Sequence, residues 1–87
     1  MALLDAEAIN RLGFATVGED VRISDRASFY GAQRIHLGSH VRIDDYCVLS
    51  AGSGGIEIGS YIHVAVYTSL IGAGRIRLND FCNLSSR

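Results

Sequence analysis

The 87-residue sequence contains no proline and only two cysteines, Cys47 and Cys82. Two cysteines cannot form a disulfide framework, and these two lack the CxxC or Cys/His spacing of a zinc site. We therefore interpret them as reduced, small apolar residues of a cytoplasmic protein. The absence of proline is unusual for a loop-rich chain, but it suits stacked strands, because these need every backbone N–H for hydrogen bonding.

Neither charge nor hydropathy points to a nucleic acid or a membrane as a partner. The formal net charge is only -1, whereas nucleic-acid phosphates require a clustered basic surface. No apolar run approaches the roughly 20 residues that a bilayer-spanning helix needs. The first residues, which include Asp5 and Glu7, are acidic rather than a basic leader. We therefore expect no nucleic-acid partner and no membrane span.

An internal repeat of six residues dominates the sequence from residue 17 onward. Apolar residues return every six positions in triplets, and equivalent positions of successive triplets recur after 20, 21 and 20 residues. A period of six is neither the 3.6 of a helix nor the 2 of a long strand, so each hexad predicts a short strand followed by a turn. Three hexads then form one triangular coil of a parallel β-helix whose axis is lined by the apolar residues. These residues are Val17, Ile23, Phe29, Leu37, Ile43, Leu49, Ile58, Val64, Leu70, Leu78 and Leu84.

The flanking and turn residues complete this all-β prediction. Gly18, Gly38 and Gly59 directly follow apolar repeat residues, and we expect them to permit turn conformations. Asp5 and Gly13 mark the N-cap and the stop of a short capping helix. The expected organisation is a helical cap at residues 1–14 and a β-helix of about three and a half coils at 15–87. Because the sequence ends partway round the fourth coil, we expect it to be an amino-terminal portion of a longer protein.

With this pattern, residues 15–87 resemble the hexapeptide-repeat acyltransferases, whose fold is a left-handed β-helix. Residues 41–50 (VRIDDYCVLS) and 55–64 (GIEIGSYIHV) are most similar to the sugar and polysaccharide O-acetyltransferase branch. The resemblance implies transfer of an acetyl group from acetyl-CoA, as cosubstrate, to a hydroxyl of a sugar or surface polysaccharide. It also implies a homotrimer with active sites between subunits, and a histidine that acts as general base. In relatives, later coils complete the coenzyme site, so this chain is expected to be inactive alone.

His63 is the candidate catalytic base. It immediately precedes the inward Val64, so strand alternation turns it outward onto a flat face that could border a subunit groove. It shares its column with Arg22, Arg42 and Asn83, and a polar surface stripe is the alternative interpretation. His36 stacks with charged residues in a different column, and His40 falls at an exposed corner.

Three further residues are candidates for binding the acceptor. Asp44 and Asp45 form a pair of carboxylates on a turn, where local hydrogen bonding is the alternative role, and Tyr67 of the next coil could join them. The spacing of the three histidines does not match the zinc site of a γ-class carbonic anhydrase, so no metal is expected.

Two other functions remain open at the level of the sequence. One is a non-catalytic, trimerising β-helix that presents other domains. The other is an ice-binding solenoid, which would need a flat ladder of threonines, whereas Thr16 and Thr68 are the only two threonines in the chain.

Overall fold

The computed structural model describes residues 2–84; residues 85–87, where the predicted β-helix ends, lie outside this range. One short α-helix, α1, is followed by eleven short strands and a single 3-10 turn at Ala32–Arg34. The bounds are α1 Ala6–Arg11, β1 Thr16–Val17, β2 Arg22–Ile23, β3 Ser28–Tyr30, β4 Ile35–Leu37, β5 Val41–Ile43, β6 Val48–Ala51, β7 Ile56–Ile58, β8 Ile62–Val64, β9 Ser69–Gly72, β10 Ile76–Leu78 and β11 Asn83–Leu84.

The strands form three parallel sheets that are the three faces of a prism. The first sheet has the order β1-β4-β7-β10, the second β2-β5-β8-β11 and the third β3-β6-β9. Strand partners are one coil apart, as in the pairs Val17↔Leu37 and Ile43↔Val64. The parallel β-helix and the register predicted from the hexads are therefore confirmed.

In the second and third coils, most hexads contribute two inward residues to the core rather than one. Ile43, Leu49 and Val64 have the inward positions that the hexads predict, and each is fully buried. Val41 and Cys47, two residues before Ile43 and Leu49, are also fully buried and pack in the same cluster. At the first coil the axis is open, because Val17 remains 42% exposed. Because two apolar side chains of one hexad fill the axis together, the narrow prism has a core that excludes water.

The corners are built by residues in the left-handed backbone region, which is uncommon for residues other than glycine. They occupy the third position after an inward residue. From the second coil on, their N–H groups bond to the coil before, as in His40 N–H to the carbonyl of Glu19 at 2.8 Å and Tyr61 N–H to that of Ser39 at 2.9 Å. Six non-glycine residues have this conformation: Asp20, His40, Tyr46, Tyr61, Tyr67 and Phe81. The inter-coil hydrogen bond therefore supports a turn conformation that the side chain alone disfavours.

The glycines that follow the repeat residues have a different role from the predicted one. Gly18, Gly38 and Gly59 do not have a positive φ, so they are not needed for a special turn conformation. A Cβ atom at Gly38 would instead lie 2.5 Å from the carbonyl oxygen of Gly59. These glycines allow successive coils to approach closely, and the prediction of their role was wrong.

Helix α1 packs against the core beside the first coil, and its N-cap residue and the glycine that follows it are those predicted. The Asp5 carboxylate accepts a hydrogen bond from the Ala8 N–H at 2.8 Å, and Gly13 follows the helix with a φ of 81°. Ile9 is buried and belongs to the hydrophobic core. Within residues 2–84, no helix is both long and apolar enough to cross a bilayer.

Candidate active site

The outer face of the second sheet carries the column that contains His63. Arg22 pairs with Arg42, Arg42 with His63, and His63 with Asn83 in the parallel register. The inward neighbours of His63, Ile62 and Val64, are buried, whereas the His63 side chain is 44% exposed. The predicted outward direction of His63 is therefore confirmed. We call these four outward residues the second-sheet column.

Asp44 connects His63 to Arg42. One Asp44 carboxylate oxygen, Oδ2, lies 2.8 Å from His63 Nε2. The other, Oδ1, accepts a hydrogen bond from Arg42 Nε at 2.8 Å. The Asp44 side chain is only 15% exposed, because it follows the buried Ile43 at the end of strand β5. Asp44, one of the candidates for binding the acceptor, is in the structure a hydrogen-bond partner of the imidazole.

This arrangement holds the Asp44 carboxylate in its ionised form. Burial alone raises the pKa of Asp44, but the hydrogen bonds from His63 and Arg42, and the positive charges of both groups, outweigh burial. The net pKa therefore lies below the ordinary 3.8. An ionised carboxylate bonded to Nε2 favours a proton on that nitrogen and leaves the lone pair on Nδ1. An imidazole oriented in this way by a carboxylate can act as a general base.

The side chains of Asp45 and Tyr67, the other two candidates for binding the acceptor, make other contacts. Asp45 accepts a hydrogen bond from the hydroxyl of Ser24, which is fully buried. This contact favours the local turn role that was the alternative for Asp45. Tyr67 is 68% exposed, and its ring stacks on Tyr46 with centroids 5.2 Å apart.

A second cluster of the same composition was missed in the sequence. Asp20 lies 3.0 Å from His40 Nδ1 and accepts a hydrogen bond from Arg22 Nε at 3.2 Å. These contacts lower the pKa of Asp20, and the contact with His40 has the larger effect. The Asp20 side chain is 45% exposed, so this cluster lies in water. The 20-residue separation of Asp20 and His40, one coil, was the signal that could have revealed the contact.

The column of His36 on the first sheet is a charged surface ladder. His36, Glu57 and Arg77 pair in register, and Glu57 accepts a hydrogen bond from Arg75 at 2.7 Å. That bond is the main cause of a lowered pKa of Glu57. Among the residues that the structure describes, no group of three or more His, Cys, Asp or Glu side chains could hold a metal ion.

Comparison with known proteins identifies two similar proteins. The chain is 56% identical over all 87 residues to a dTDP-4-amino-4,6-dideoxy-D-glucose acyltransferase of Escherichia coli, and it spans 45% of the length of that protein. No family model matches the chain.

The solved structures give the same result for the fold. The N-acyltransferase AntD from Bacillus cereus, in complex with dTDP and 3-hydroxybutyryl-CoA, is 43% identical with a TM-score of 0.86. The match covers 93% of this chain and 42% of AntD. A variant of AntD in complex with dTDP-4-amino-4,6-dideoxyglucose and coenzyme A is 42% identical with a TM-score of 0.86, over 94% of this chain and 43% of that protein. The predicted left-handed β-helix is thereby confirmed.

Proposed function

We propose that this chain is part of a hexapeptide-repeat acyltransferase, and that the protein transfers an acyl group from an acyl-CoA to the amino group of a nucleotide-linked deoxyamino sugar. The observation that supports this most directly is the 56% identity, over the full chain, to an acyltransferase named for such a sugar. AntD, which is named as an N-acyltransferase, gives independent support. The sequence had predicted a hydroxyl acceptor and acetyl-CoA. The proposal replaces the hydroxyl with an amine and leaves the acyl group open, with acetyl as one candidate.

In the proposed reaction, the sugar amine nitrogen attacks the thioester carbonyl carbon, and His63 takes a proton from that nitrogen as the C–N bond forms. The C–S bond then breaks, and the thiolate of coenzyme A receives the proton from the His63 imidazolium and leaves as the thiol. An imidazole suits this role because its ordinary pKa is close to neutrality. Asp44 would orient the ring and stabilise the imidazolium that forms. Tyr67 and Asp45 are proposed to border the acceptor, which lies on the same side of the prism.

We expect a full-length version of the protein, with the later coils that the resemblance assigns to the coenzyme site, to release thiol from acetyl-CoA or 3-hydroxybutyryl-CoA when dTDP-4-amino-4,6-dideoxyglucose is the acceptor. The matched control is the same sugar nucleotide with a hydroxyl group in place of the amine. Thiol release is measured with a chromogenic disulfide. Equal turnover of both acceptors would support O-acylation instead. Silence with both acceptors would favour the alternative, a non-catalytic β-helix scaffold.

We further propose a homotrimer with sites at the boundaries between subunits. The open second-sheet column supports this, because the predicted base lies on an exposed face rather than inside a pocket. Sedimentation velocity of the chain at increasing concentration should show a monomer–trimer equilibrium; a monomer at every concentration would contradict assembly through these coils.

We also propose a cytoplasmic location. The free cysteines Cys47 and Cys82 support it, because thiols stay reduced in the cytoplasm.

A further inference from the structure

We propose that Arg42 is a positioning residue, which fixes Asp44 so that His63 is held as a base. This inference rests on the proposed function, in which His63 accepts the proton. The sequence placed Arg42 only in a polar surface stripe. In the structure, Asp44 contacts the imidazole through one carboxylate oxygen, and Arg42 donates a hydrogen bond to the other.

The two carboxylate oxygens of Asp44 have different hydrogen-bond partners. Arg42 Nε takes Oδ1 and His63 Nε2 takes Oδ2, both at 2.8 Å. A carboxylate with both oxygens bound cannot rotate about its Cβ–Cγ bond without losing a hydrogen bond. Hydrogen bonds between charged groups are stronger than neutral ones, so the plane of the carboxylate, and with it the direction of the imidazole ring, is fixed.

Arg42 is positioned by its backbone, since its side chain is itself 52% exposed. Arg42 lies between Val41 and Ile43 in strand β5, and both of these residues are fully buried. Its strand is the neighbour of the strand of His63, with Arg42 and His63 directly paired. The backbone of both partners therefore belongs to one sheet, and only the side chain of Arg42 has to be ordered.

The cluster of Arg22, Asp20 and His40 resembles this one in composition but differs from it in exposure. Both clusters have the same three residue types and similar arginine contacts. The carboxylates differ in exposure, which is 45% for Asp20 and 15% for Asp44. Water can replace Arg22 as a partner of Asp20, whereas a partly buried carboxylate that loses its donor is poorly compensated. Arg42 therefore matters where Arg22 does not.

The test compares Arg42→Gln with the matched control Arg22→Gln. We expect Arg42→Gln to lower kcat about 10-fold, the lower end of the effect of losing a residue that orients a reactive ligand, with KM for both substrates unchanged. Arg42→Lys should restore part of kcat, because it keeps the positive charge. Arg22→Gln should leave kcat unchanged. An unchanged kcat in Arg42→Gln, or equal losses in the two glutamine variants, would overturn the proposal.

A second measurement separates this proposal from the proposed function. The carboxyl carbon of Asp44 is titrated by NMR in the unmodified chain and in both glutamine variants. We expect the pKa of Asp44 to rise in Arg42→Gln and to stay unchanged in Arg22→Gln. If the chain transfers no acyl group but this rise is seen, the proposed function fails while the coupling of Arg42 to Asp44 stands. If the rise is absent, the role of Arg42 is rejected whatever the activity. The other charged groups on this face are Arg22 and Asp45.

Discussion

His63→Gln should lower kcat for acyl transfer by about 100- to 10,000-fold, the range associated with loss of a general base. Glutamine has a similar length and can still donate a hydrogen bond to Asp44, but it cannot accept a proton at neutral pH. KM should change little, because the imidazole contributes to proton transfer rather than to coenzyme binding. The measurement is the initial rate of thiol release at saturating acyl-CoA and sugar nucleotide.

The chain offers a matched control for this prediction in His40→Gln. His40 also contacts an aspartate, but it lies before the amino end of strand β5, with its ring stacked on Tyr61 at a centroid distance of 4.7 Å. Its loss should leave kcat intact. Far-ultraviolet circular dichroism verifies that both variants are folded. Equal activity of the two variants would show that His63 is not the base and would support its place in a simple polar stripe.

Gly38→Ala should markedly lower the free energy of unfolding, because the added methyl group meets the backbone of the next coil. The new Cβ would lie 2.5 Å from the Gly59 carbonyl oxygen and 2.6 Å from its carbonyl carbon. Both are backbone atoms of the next coil, so relief requires the coils to separate and their hydrogen bonds to lengthen. Overpacking of this kind costs about 1–3 kcal/mol of unfolding free energy, and backbone clashes can exceed this. Urea unfolding should show a lower midpoint.

Gly74→Ala is the control for this substitution. Nothing lies within 4 Å of a Cβ atom built at Gly74, and its φ is not positive. Its unfolding midpoint should stay the same or rise slightly, because alanine reduces the conformational freedom of the unfolded chain. If Gly38→Ala unfolded at the same urea concentration as Gly74→Ala, close stacking of the coils at Gly38 would be refuted.

The sequence was sufficient to predict the coil and its register, because one apolar residue every six positions leaves little freedom for alternative pairings. The pairs Val17↔Leu37 and Ile43↔Val64 follow directly from the 20- and 21-residue spacings. The corners were not predictable in the same way. Aromatic residues such as Tyr46 and Tyr61 are poor candidates for left-handed backbone by intrinsic preference, and only the hydrogen bond to the neighbouring coil stabilises them there.

The site was only partly predictable for a related reason. The direction of His63 follows from strand alternation, and its column follows from the register. Its contact with Asp44 does not, because Asp44 stands beyond the end of its strand and reaches a residue 19 positions away through its side-chain rotamer. The cluster of Asp20 and His40 differs, because these two residues stand one coil apart and the 20-residue spacing could have predicted their proximity. Their hydrogen bond, like that of Asp44 to His63, also depends on side-chain rotamers, which leave no periodic signal in the sequence.

The strict pairing of each coil with the next has a consequence for how such chains can change length during evolution. A single inserted residue within a strand would turn its inward residues outward. An insertion of a whole coil, 20 or 21 residues, would keep every later inward residue inward and shift the rest of the molecule by one strand spacing of about 4.8 Å. Gene segments of one coil can therefore be duplicated or lost without redesign of the remaining coils. Because Leu37 and Ile58 must stay paired in register, we expect the length of such chains to change by whole coils of about 20 residues.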